Sequence, residues 1–206
     1  MNVLKHWILL LFFGFVWGIF EVVIGETMFG QGLSYASAWL IIWAVFVLAM
    51  ARGVLNKPGS STVIGLFAGI FKLANTSPFF CHLLAIFIIG MTFDVFSTVL
   101  MKYEHRVSYR SSLSGLLTVY AGRALFALMA TYIMRWEYWT TGGVAYIYEH
   151  IFISGTFAAL IAILVVPLGY SIGVNGIAFM ERRPVLSYAG VAMAVVCICA
   201  LGRIIG

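Results

Sequence analysis

Five ionisable side chains fall inside long apolar runs of this sequence: Glu21, Glu26, Lys72, Asp94 and Arg123. A charge at the centre of a lipid bilayer costs at least about 2.5–3.5 kcal/mol, so such residues face one another, a cavity or the water interface. Helical rise sets their depth from the inner side. Glu21 lies roughly 20 Å deep, Lys72 roughly 15 Å and Arg123 roughly 16 Å, while Asp94 lies only about 10 Å from the inner end of its run. Glu26 falls near the outer surface. These depths allow two pairs of opposite sign, Glu21 with Lys72 and Asp94 with Arg123, which would offset part of the desolvation. Two readings stay open. The pairs tie helices together, or Glu21 and Lys72, with Asn75 beside them, line a cavity open to the outside. Arg123 is alternatively an anion-binding group, and Asp94 simply reaches the inner interface.

His82 stands about one turn into its run, near the outer mouth, and joins Glu21, Lys72, Asn75 and Arg123 as a candidate substrate-binding residue. His150 follows Glu149 at the start of a later run. Nothing in their spacing requires a Glu149–His82–His150 metal site, and no HExxH sequence is present, so no metal or other cofactor is expected. His105 sits in a basic loop. Cys81, Cys197 and Cys199 show no paired CxxC spacing and read as buried thiols.

Other chemistry lacks its residues. There is no GxSxG elbow and no GxxxxGK[ST] phosphate loop, so the chain carries no nucleotide-driven motor of its own. Asp94 is the only aspartate, which rules out an aspartyl dyad within one chain. The histidines sit near run ends or in loops, where none serves a serine nucleophile deep in a span. The expectation is therefore a protein that is not an enzyme, with no catalytic residues. The alternative is an integral-membrane enzyme or lipid-handling protein using Glu21, Asp94, Arg123 or the outer histidines.

The elements that must position these residues follow from composition. Of 206 residues, 63% are apolar and 9% charged, and the mean hydropathy is +1.06. A water-facing globule of this size cannot bury so much apolar surface. The class is an all-α polytopic membrane helix bundle forming a single domain. Apolar runs cover about 7–29, 35–51, 62–74, 79–101, 112–134 and 151–170, the last interrupted by Pro167, with a seventh at about 186–205. The third is short and ends at Asn75-Thr76-Ser77-Pro78, a strong breaker. It reads as a core helix, a re-entrant segment or a short span. We expect a six-helix core over about 7–172 plus a seventh, C-terminal transmembrane helix.

The formal net charge is +5, and its distribution speaks for membrane orientation and against nucleic acid. Lys5, then Arg52 and Lys57, then Lys102, Arg106 and Arg110, then Arg182 and Arg183 fall on one side if every run crosses. That places the N-terminus in the cytoplasm. The segment from Arg135 to His150 then becomes an outer loop, with Trp136, Tyr138, Trp139, Tyr146 and Tyr148 as an interfacial belt. Gly14 with Gly18, and Gly65 with Gly69, form GxxxG steps. They serve either internal helix packing or docking of a membrane partner.

The stretch Gly65-Leu66-Phe67-Ala68-Gly69-Ile70-Phe71-Lys72-Leu73, the Asn75–Pro78 break, Leu84 to Gly90 and the run Gly155 to Gly169 together resemble the S component of energy-coupling factor transporters. The resemblance covers about residues 7–172. It implies a membrane-embedded substrate-binding subunit in the inner (plasma) membrane of a prokaryote. Such a subunit captures a vitamin or similar micronutrient from outside and docks on a transmembrane coupling subunit driven by ATPase subunits. It also implies Gly14 and Gly18 as the docking step and Glu21, Lys72 and Asn75 as the ligand region.

Overall fold

The computed structural model describes residues 3–73, 80–101 and 109–182, with side chains described as far as 176. Asn75, His105, Cys197, Cys199 and the C-terminal run at 186–205 lie outside the described residues. A chain this apolar satisfies its backbone groups internally, and the described part is helical throughout. Helix α1 runs Val3–Gly30, α2 Ala36–Leu55, α4 Phe80–Leu100 and α5 Tyr109–Ile133, each long and apolar enough to cross a bilayer. Helix α3, Ser60–Lys72, has 13 residues. At 1.5 Å per residue it is about 20 Å long, short of a hydrocarbon core of about 30 Å.

Helix α6 covers 137–182 and differs from the expected outer loop and broken run. Glu137–Tyr148 is helical, bends at Gly143, where φ is +58°, and continues through Glu149–Ser154 into Gly155–Arg182. Pro167 sits inside this last stretch without ending it. Six helices are thus described, five of them candidate spans.

Turn chemistry fixes the tight connection before α3. Asn56 adopts the left-handed conformation and donates its N–H to the Arg52 carbonyl at 2.9 Å. Pro58 cannot continue the helix, and Gly59 enters α3 at φ +86°.

The main helix contacts close a ring in the order α1, α2, α6, α5, α4, α3 and back to α1, and α2 also touches α3 and α4 across it. In that order α1 and α5 form opposite walls. Leu10, Trp17, Leu48, Ile64, Phe93, Ala158 and Tyr170 belong to the shared core.

Small residues set the closest approaches. A Cβ on Gly14 would lie 2.5 Å from the Phe67 Cβ, and one on Gly18 2.7 Å from the Phe71 Cβ. Both glycines are buried against α3. The expected docking step therefore seats a helix of the same chain, and the internal-packing reading is the one the geometry supports. Gly65 meets Gly90 of α4 in the same way, whereas Gly69 faces open space.

A third step, Gly169 and Gly173, escaped the sequence reading and joins α6 to α2. A Cβ on Gly173 would stand 2.2 Å from the Met50 carbonyl oxygen. Backbone cannot yield there as a side-chain tip does. Gly173→Ala is expected to destabilise the protein by about 1–3 kcal/mol. Thermal unfolding in detergent measures this, and an unchanged midpoint would contradict the α2–α6 contact.

Candidate functional site

A hollow of about 650 Å³ lies inside the ring. Its walls carry Glu21 and Trp17 of α1, Arg123 of α5, His82 of α4 and His150 of α6, among aromatic side chains. Small-molecule sites typically measure about 300–1,000 Å³ and combine apolar walls with a few placed polar groups.

Glu21 is buried on the α1 wall and accepts a hydrogen bond from Trp17 Nε1 at 3.1 Å. The pair is local, one helical turn apart. At Glu21 the helix widens into a π turn, Glu21–Gly25. A π turn shifts the backbone ladder by one residue and leaves carbonyl groups open to other donors. Lys72 supplies one: its Nζ donates to the Glu21 carbonyl oxygen at 2.7 Å and lies 3.4 Å from Glu26 Oε1. Glu21 and Lys72 do meet, as their depths suggest, but not as an ion pair. The carboxylate facing Lys72 is that of half-exposed Glu26, and the Glu21 carboxylate remains on the wall of the hollow. Lys72 itself is not a lining residue.

The second expected pair is not formed. Asp94 turns away from Arg123 toward the start of α3. It accepts from the Gly59 N–H at 3.0 Å, the Thr62 N–H at 3.2 Å and the Thr62 hydroxyl at 2.8 Å. The first turn of any helix leaves backbone donors unsatisfied and carries partial positive charge, and an aspartate answers both. Asp94 also acts electrostatically on Arg52 of α2. The sequence suggests Arg52 as an interfacial loop charge, but only 1% of it is exposed.

Arg123 is fixed by neutral groups. Nε donates to the His150 carbonyl at 2.8 Å, and Nη2 donates to Ser154 Oγ at 2.7 Å and to Ser37 Oγ at 3.4 Å. His150 Nδ1 lies 3.4 Å from Nη2. Gly155 leaves the passage for the stem, since a Cβ there would sit 3.2 Å from Arg123 Cδ. The side chain is 1% exposed, makes no ion pair with any described acid, and its Nη1 has no hydrogen-bond partner among the described residues. Ser154 and His150 belong to another π turn, Glu149–Ser154. Each of these two π turns thus presents a carbonyl to a buried cation at the same end of the bundle.

His82 stacks on Phe29 with ring centroids 4.8 Å apart at the edge of the hollow. His82 and His150 share its wall without Glu149. Among the described residues no three His, Cys, Asp or Glu side chains converge on a position for a metal ion.

The aromatic residues expected as an interfacial belt divide between the interior and the surface. Trp139 is buried against Phe126, Tyr146 and His150, with ring centroids 4.7–5.2 Å apart. Trp136, Tyr138, Trp139 and Tyr146 line the hollow, and both Tyr138 and Tyr148 are exposed. The sequence did carry signals for the missed residues: Trp17 stands four before Glu21, and Ser154 four after His150, a spacing that puts side chains on one helix face.

The chain matches no protein-family model, no curated protein and no solved structure.

Proposed function

We propose that this chain is the substrate-binding membrane subunit of a micronutrient uptake transporter, of the energy-coupling factor S-component type that its sequence resembles. The observation that carries the reading is the hollow inside the helix ring, whose walls hold Glu21 and an unmatched Arg123 among aromatic side chains. Ionisable residues that face a cavity inside a membrane protein mark substrate and ion pathways. Energy would come from partner ATPase subunits through a transmembrane coupling subunit, because the sequence contains no phosphate-binding loop of its own. The internal seating of Gly14 and Gly18 leaves the coupling surface to other residues. In this proposal the chain lies in a prokaryotic inner membrane with its N-terminus cytoplasmic.

The test is ligand binding by the purified chain without partners, against a panel of vitamins and metal ions. Binding of a panel member by the isolated subunit is expected. A well-folded preparation that binds none of them would contradict the reading.

A further inference from the structure

The chemical class of the ligand follows from what the hollow lacks. Arg123 holds five N–H donors in a rigid fork suited to carboxylate or phosphate. Its described partners take up Nε and Nη2 and leave Nη1 buried and unanswered. A buried guanidinium without a counter-charge or a complete set of acceptors is costly, and an anionic ligand would relieve both deficits. Across the ring, Glu21 uses one oxygen on Trp17 and faces the same space. Because α1 and α5 are opposite members of the ring, the two charges come from opposite walls. Phe126, Trp136, Trp139 and Tyr146 line the same hollow, and their rings favour a flat partner.

Resting on the uptake reading, we infer that the hollow takes a planar aromatic or heteroaromatic acid, with its anionic group on Arg123 and an N–H or O–H donor toward Glu21. Anionic lipid is the other source of such a group. It presents a headgroup and acyl chains, not a ring, and the aromatic walls favour the ring.

The test uses 2-naphthoate, 6-amino-2-naphthoate and neutral 2-naphthamide, titrated by calorimetry into the full chain in phosphatidylcholine nanodiscs. The carboxylate is expected to bind at least about tenfold more tightly than the amide, as a charge-assisted hydrogen bond implies. The amino derivative is expected to bind more tightly still. In Arg123→Gln the ratio of carboxylate to amide affinity is expected to fall to about one, and an unchanged helical circular dichroism spectrum shows that the variant is folded. Arg123→Lys keeps the charge without the fork and recovers part of the preference. In Glu21→Gln the gain from the amino group shrinks.

Equal binding of carboxylate and amide by the natural chain would overturn the ligand class and leave the cavity reading standing. Failure of all three probes would count against the open hollow and so against both. Loss of the preference when phosphatidylglycerol replaces phosphatidylcholine would assign Arg123 to a lipid headgroup and overturn the proposal.

Discussion

Alanine at position 94 is expected to lower the stability of the bundle by about 2–4 kcal/mol. Asp94 is the acceptor for two backbone N–H groups and one hydroxyl at the start of α3, and Thr98 adds a longer contact at 3.4 Å. Loss of a helix N-cap alone costs about 0.5–2 kcal/mol. Hydrogen bonds to a charged group contribute roughly 1.5–3 kcal/mol each, less where water reaches them. The same substitution removes the acidic neighbour of buried Arg52, and a buried cation left without compensation adds to the loss. Asp94→Asn keeps an acceptor oxygen and is expected to recover about half of the loss. Equilibrium unfolding in mixed detergent micelles measures both variants. A change below about 0.5 kcal/mol for the alanine variant would show that Asp94 does not hold α3.

The second large effect is local. In Glu137–Tyr148 the only buried residue is Trp139. It fastens the segment to Phe126 of α5 and to His150, beside Arg123. Trp→Ala at a buried site costs about 3–5 kcal/mol. Here that cost falls on a segment that bends internally at Gly143 and runs into a π turn, so Trp139→Ala is expected to detach the segment and spare the bundle. Amide hydrogen exchange over 137–148 should rise by about two orders of magnitude, with little change in α2 and α5. Ligand affinity should fall roughly 30-fold through loss of about 2 kcal/mol of aromatic contact. Unchanged exchange would mean that the segment is anchored elsewhere. Exchange raised uniformly through the bundle would mean that it is not a separate unit.

The sequence shows which residues leave lipid more readily than it shows what they meet. Composition and run lengths indicate a helical membrane bundle, and the cost of buried charge singles out Glu21, Lys72 and Arg123. Depth counting brings Lys72 to the level of Glu21, and the two do touch. It fails for Asp94 and Arg123 because rise along a helix carries no information about rotation around it. Asp94 turns to the neighbouring α3, whose unsatisfied first turn attracts a carboxylate more strongly than a distant guanidinium does.

In sequence the aromatic cluster after Arg135 suits a belt, because membrane interfaces and ligand walls draw on the same residue types. Only the fold of 137–182 separates those uses. Arg52 looked interfacial because it ends an apolar run, but α2 extends to Leu55 and buries it. The closure of the ring by α2 and α6 joins segments more than a hundred residues apart. Its marker, the Gly169–Gly173 step, resembles any other glycine pair until a partner backbone stands against it.

The most direct measurement of an open hollow with an unmatched cation uses Cys81, a free cysteine on its wall. In a chain carrying Cys197→Ser and Cys199→Ser, Cys81 is exposed in nanodiscs to two water-soluble methanethiosulfonates, one bearing a sulfonate and the other a trimethylammonium group. Both are expected to react, the anionic reagent faster by roughly tenfold, as charge focusing in a low-dielectric cleft favours the opposite sign. Arg123→Gln should bring the two rates together. Failure of both reagents to modify Cys81, or a rate ratio unmoved by Arg123→Gln, would contradict a water-accessible hollow governed by Arg123.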